Sequence, residues 1–174
     1  MKKILFHDEV RTIKELVDKI TSIEDAPELN DVKIGVICFI FDKDGKVILN
    51  RRGAGARDDV GKLQALGGSI NDNDPDDFRK SMMRELKEEA GVDDVSIDSF
   101  VGCIVDTKYD KSAMKVIDWV ILAYVGHVGE QELKNMEPER CIGIEHLDIN
   151  AINNDELGET AASFLEYIKE KGIR

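Results

Sequence analysis

The residues with the most chemical potential lie in one short stretch, Arg84-Glu85-Leu86-Lys87-Glu88-Glu89. At helical spacing Glu85, Glu88 and Glu89 share one face, next to an apolar stripe of Met82, Met83, Leu86 and Ala90. Glu85 and Glu89 form an i,i+4 like-charge pair, which is unfavourable unless a cation sits between them. Small Ser81 projects on the same face, where a short side chain lets a neighbouring loop come close. Gly67-Gly68, upstream of this helix, allows backbone to approach the carboxylates and offers carbonyl oxygens to a hard metal ion. The competing reading is a solvated charged helix face built from good helix formers.

Around this stretch the chain has the size of one domain. Its 174 residues carry 36 acidic and 24 basic side chains, a net charge of -12, with 42% hydrophobic residues. That hydrophobic content argues against disorder. The negative balance excludes a protein that coats a nucleic-acid polymer by neutralising phosphates, and it disfavours docking on an anionic membrane. Residues 71 to 94 hold nine acids against four bases, so five of the twelve excess charges lie here. Cys38, Cys103 and Cys141 are odd in number and widely spaced, and they read as reduced thiols of a cytoplasmic protein. The longest apolar run, Trp119 to Val125, is far too short to span a bilayer. His7, His127 and His146 form no triad or zinc pattern.

The elements that must position the acidic face follow from periodicity. Residues 8 to 24 read as an amphipathic helix capped by Asp8, and residues 26 to 31 as a linker. Lys33 to Phe41 and Lys46 to Arg51 read as a hairpin about Asp42-Lys43-Asp44-Gly45. The acidic helix is expected over about 75 to 90, with Asp74 as cap, Pro75 in the first turn and Gly91 as its stop. Strands are expected at Val95 to Lys108, Ala113 to Val125 and Arg140 to Leu147, and a last helix at Leu157 to Lys171. The fold class is α+β, with helices flanking a mixed curved sheet. Residues 1–31 form an N-terminal helical extension and linker, and 32–174 the main domain. The extension packs on its own domain or on a second subunit, which leaves a homodimer open.

The segment Arg84-Glu85-Leu86-Lys87-Glu88-Glu89-Ala90-Gly91-Val92 resembles the second half of the Nudix box, R-E-U-x-E-E-x-G-U with U aliphatic, and Gly67-Gly68 resembles its opening glycines. The resemblance covers about residues 33 to 172 and implies a Nudix-like α/β/α sandwich. Counted back from Arg84, the first acidic position of the box is Asp76 rather than glutamate, with seven residues after Gly68 rather than five. On that count the loop Ser69 to Asp74 is two residues longer than usual.

The resemblance implies a hydrolase of a nucleoside diphosphate linked to another moiety, with Mg²⁺ (or Mn²⁺) as cofactor. Glu85, Glu88 and Glu89 would hold the metal, with the Gly67 carbonyl as an extra ligand. The catalytic candidates are Arg84, Glu85, Glu88 and Glu139, with Arg84 orienting a glutamate. Asn135-Met136-Glu137-Pro138-Glu139-Arg140 resembles a loop that supplies a base or metal ligand in several nucleotide-hydrolysing members, through Glu139 or Glu137; the alternative is an ordinary acidic turn.

Substrate contacts are expected from Gly68 and from the locally basic stretch that holds Arg51, Arg52 and Arg57. Trp119 either stacks on a base or packs in the core. Tyr109, 17 residues beyond Val92, resembles a signature of dinucleoside-polyphosphate hydrolases, whereas ADP-ribose hydrolases tend to show proline where Thr107 and Lys108 stand. The substrate class is a small nucleotide: an NTP, a dinucleoside polyphosphate, ADP-ribose or a nucleotide sugar. A non-catalytic nucleotide-binding module is the competing class, and no segment matches the cysteine motif of isopentenyl diphosphate isomerase, which shares the fold.

Overall fold

The computed structural model describes all residues, 1–174. Its centre is the apolar run β1 (Lys33–Phe41). Both faces of β1 are covered, so alternate residues enter different cores: Val36, Cys38 and Ile40 one, Phe39 and Phe41 the other. Along its full length β1 pairs in parallel with β6 (Lys115–Val128), from Lys33 opposite Trp119 to Phe41 opposite His127. Its other edge is shared. β4 (Leu66–Ser69) pairs antiparallel with Gly35–Cys38, and β2 (Val47–Arg52) pairs with Ile40 and Phe41. β5 (Val95–Asp110) lies antiparallel to β6 at one edge of the seven-stranded sheet. β3 (Leu63–Gln64) and β7 (Cys141–Leu147) flank β2.

Helix α2 (Phe78–Ala90) buries Phe78, Met82, Leu86 and Ala90 on one face of the sheet, together with Leu16 of α1 (Ile13–Thr21). Helix α3 (Glu159–Lys171) buries Ala161, Phe164, Leu165 and Ile168 on the other. The α/β/α sandwich expected from the sequence is therefore the observed one. No helix is long and apolar enough to cross a membrane.

All three helix starts differ from expectation, α3 by two residues, at Glu159 rather than Leu157. α2 begins at Phe78, and its cap is Asp77, which accepts from the Arg79 N–H at 3.0 Å, rather than Asp74. Asp74 has been drawn away by an arginine, as described below. α1 begins at Ile13 with Thr12 as cap, not at Asp8. Before it the chain bridges to β5 at Phe6, with Leu5 N–H donating to Cys103 O at 2.8 Å and Cys103 N–H to Phe6 O at 3.2 Å. The free edge of β5 needs partners for its peptide groups, and Phe6 and Val10 anchor the segment in the α2-side core, which overrides the helical period of residues 8 to 12.

Candidate active site

The double glycine sets the geometry. In β4, Gly67 has φ +149°, and a Cβ there would lie 2.0 Å from Val36 O. A Cβ on Gly68 would lie 2.4 Å from a Glu85 carboxylate oxygen. Only glycine lets β4 pair with β1 while the acidic face of α2 rests directly on it. Ser81, 2% exposed, has the small side chain the contact between helix and preceding loop demands.

The three box glutamates lie at different depths. Glu88 is exposed, Glu85 half-buried and Glu89 only 9% exposed. Glu89 accepts from Gly67 N–H at 2.7 Å and from Asn50 Nδ2 at 2.5 Å. Burial pushes its carboxyl up to about 8; Glu137 and Glu85 add to the rise, while the Gly67 N–H and Arg52 oppose it. Burial also raises Glu85, with Glu88 and Glu137 adding and Arg84 opposing. Mutually repelling carboxylates gathered at one cleft form an oxygen-only donor set, which suits a hard divalent cation. As the side chains stand they face Arg84, Asn50 and the Gly67 N–H rather than one common point. Glu85, Glu88 and Glu89, with Glu137 nearby, fit a divalent ion in their chemistry.

A pH dependence follows. Between the ordinary 4.5 and about 8, folded Glu89 keeps a proton that the unfolded chain has lost. Stability of the metal-free protein should therefore fall as pH rises through roughly 4.5 to 8, and added Mg²⁺ should restore it most at the upper end. Thermal melts across that range, with and without Mg²⁺, check this; a metal-free melting temperature that rises toward pH 8 contradicts it.

Arg84 ties the helix to the loop before it. Its Nε and Nη2 meet the Asp74 oxygens at 2.5 and 2.8 Å, and it also reaches Glu85, Glu88 and Ser69 O. The Asp74 carboxyl is held below its usual range, first by Arg84. Asp76 instead accepts from Ile13 N–H at 3.1 Å, at the start of α1. Counted forward from Gly68, five residues precede Asp74, so the aspartate that Arg84 meets stands at the box spacing from the glycines, whereas Asp76 has that spacing only when counted back from Arg84.

A cleft of about 600 Å³ opens above the glycines and the box face. Arg52, Arg57, Tyr109 and Trp119 line it together with Gly67, Gly68, Arg84, Glu85, Glu88 and Glu89. Arg51 does not. On β2 neighbouring side chains point to opposite faces, so Asn50 and Arg52 face the cleft while Arg51 pairs with Glu145 at 2.6 Å on the far side. Trp119 sits at the cleft with Arg57 and Lys33 over its ring, 5.6 and 5.5 Å from the centroid, rather than in either core. Of the two candidate loop acids, Glu137 lines the cleft; Glu139 is exposed outside it, and its carbonyl accepts from Gly55 N–H at 3.2 Å. Sequence reasoning missed Asn50 and Lys108 as cleft residues. Asn50 was within reach of a period-two argument from Arg52; Lys108 carried no signal.

The NUDIX domain model matches residues 31–168. No curated protein matches the chain in sequence. Among solved structures, the MutT protein from Methanosarcina mazei Go1 superimposes with a TM-score of 0.67 over 85% of this chain and 100% of its own, at 18% identity. A MutT NUDIX hydrolase from Burkholderia pseudomallei gives 0.61 over 80% and 99%, at 20% identity. The NUDIX domain of Shewanella oneidensis NrtR, complexed with ADP ribose, gives 0.64 over 89% and 97%, at 14% identity. Those likenesses establish the sandwich fold, and the family match over most of the chain, on a box whose glycines and glutamates meet as described, establishes the lineage: this chain belongs to the Nudix hydrolase family, which acts on nucleoside diphosphates linked to another moiety.

Proposed function

We propose that this chain is a Mg²⁺-dependent pyrophosphohydrolase of a small nucleotide, an NTP or related compound, in the cytoplasm. The observation that carries the reading is the composition of the single large cleft. One side holds the carboxylates Glu85, Glu88, Glu89 and Glu137, and the same space is lined by Arg52, Arg57, Arg140 and Trp119. Cation-binding acids next to guanidinium groups and an aromatic ring suit a ligand with a diphosphate at one end and a flat base at the other.

Bound Mg²⁺ would neutralise the diphosphate and lower the pKa of an attacking water. The chain's own groups do the rest. Asn50 and the Gly67 N–H orient Glu89, Asp74 holds Arg84, and Arg84 braces Glu85 and Glu88. Glu137, close enough to raise both Glu85 and Glu89, is the better-placed candidate than Glu139 to take a proton from water. Arg52 and Arg57 would grip phosphate oxygens, and Trp119 with Tyr109, 59% exposed at the cleft, would receive the base.

A panel of NTPs, dinucleoside polyphosphates, ADP-ribose and nucleotide sugars, assayed with Mg²⁺ or Mn²⁺ and with products identified, tests the reading. Turnover of a nucleotide supports it; tight binding without turnover would favour a nucleotide-binding module instead. Arg57→Ala should raise KM for the best substrate about five- to tenfold and change kcat less, because it removes a binding cation that also stacks on Trp119. An unchanged KM removes Arg57 from the site.

A further inference from the structure

We infer that Lys108 is a positioning residue that aims Arg52 at substrate phosphate, and that the chain's first residues, outside the matched NUDIX segment, complete this apparatus. The inference rests on the nucleotide-site reading above.

Lys108 lines the cleft, yet its ammonium is already engaged by three carboxylates of the protein. It donates hydrogen bonds to Asp58 at 2.8 Å and Asp59 at 3.3 Å and forms an ion pair with Asp106 at 3.3 Å. It therefore acts through Asp58. The Asp58 carboxylate and carbonyl receive Nη2 and Nε of Arg52 at 2.7 and 2.9 Å. One edge of that guanidinium is thus committed to the protein, and the Nη1 group remains for a ligand. Arg52 also lines the cleft together with Glu85, Glu88 and Glu89, so the anchored loop holds it beside the carboxylates.

Behind Lys108 the ladder continues inward. Asp106 is 2% exposed, accepts from Thr160 Oγ1 at 2.8 Å and pairs with Lys2 Nζ at 2.9 Å. Lys2 is fixed in turn, its N–H donating to Ser163 Oγ at 2.8 Å. Charges alternate along Lys2, Asp106, Lys108, Asp58 and Arg52. Removing the central cation leaves a buried carboxylate under-compensated and frees Asp58 to turn away, which releases the edge of Arg52. The NUDIX match begins only at residue 31, so the far end of this ladder lies outside the matched segment.

Calorimetric binding of ADP and of inorganic pyrophosphate, each with Mg²⁺, together with KM and kcat for the best substrate, tests the inference. Lys108→Met should weaken binding of both ligands and raise KM roughly tenfold, with kcat within about twofold. Lys108→Arg should recover part of the loss, and Lys2→Met should shift binding in the same direction by less. A folded Lys108→Met protein with unchanged affinity and KM, or one altered only in melting temperature, overturns the inference while leaving the function intact. If Lys108→Met fails to fold, Asp58→Ala at the solvent-facing end carries the test, and unchanged affinity there overturns it equally. Wild-type protein that binds neither ligand overturns both the inference and the nucleotide reading.

Discussion

Replacing Glu89 by glutamine should abolish metal-dependent turnover, lowering kcat by about a thousandfold or more, while the protein still folds. Glutamine keeps the shape and one oxygen acceptor, so the Gly67 N–H stays satisfied. The Asn50 amide can rotate to present its oxygen to the new NH₂ group, which keeps the second bond. What is lost is the negative charge that burial makes costly and that a bound cation would compensate. The same substitution carries a stability signature. Without an ionisable group at this position, the decline in metal-free stability toward pH 8 should flatten, and added Mg²⁺ should stabilise the variant far less than the wild type. Turnover and melting temperature at several pH values are measured together. Wild-type-like activity in a folded Glu89→Gln protein would sink the metal assignment.

The second large effect separates two neighbouring aspartates. Asp74→Asn should lower kcat/KM roughly ten- to a hundredfold, whereas Asp76→Asn should leave it nearly unchanged. The Asp74 side chain, 6% exposed, gives both oxygens to the Arg84 fork, and asparagine would set an NH₂ group against a guanidinium. Arg84 would then lean on its other partners, Glu85 and Glu88, and hold the carboxylates a metal requires. Asp76 is exposed and contributes one acceptor to Ile13 N–H, a bond asparagine can keep. Steady-state kinetics on both variants decide the matter. Loss of activity in the Asp76 variant with none in the Asp74 variant favours the alignment counted back from Arg84.

These two sites differ in how readable they were. The depth order of Glu88, Glu85 and Glu89 follows from their angular distance to the stripe of Met82, Leu86 and Ala90, because helix geometry is the same in every protein. The use of glycine at 68 was legible for a similar reason, because backbone lying against an acidic face leaves little room for a Cβ, whereas at 67 the crowding comes from Val36 O and Ile37 Cα of β1 and depends on the strand pairing. The partner of Arg84 was not legible, since it depends on the path of the loop from Ser69 to Asp77, and counting residues from either end gives a different aspartate. Arg51 and Arg52 were legible in part; the strand period says they face opposite ways but not which of them faces the cleft.

The sequence by itself determined the order of the three helices and the five longer strands, the sandwich class, the acidic helix face, the glycine pair and the family, all of which are local regularities within one segment or a few adjacent ones; the short strands β3 and β4 it did not. The tertiary structure alone decided that Asp74 rather than Asp76 meets Arg84, that Glu137 rather than Glu139 lines the cleft, that Trp119 stands there under two cations, and that Lys2 reaches Asp106 behind Lys108. Each of those pairings joins segments whose separation is set by packing of the two cores. A side chain's neighbours along one helix or strand follow from a fixed rise and rotation, while its neighbours across elements follow from how all the apolar faces are buried together.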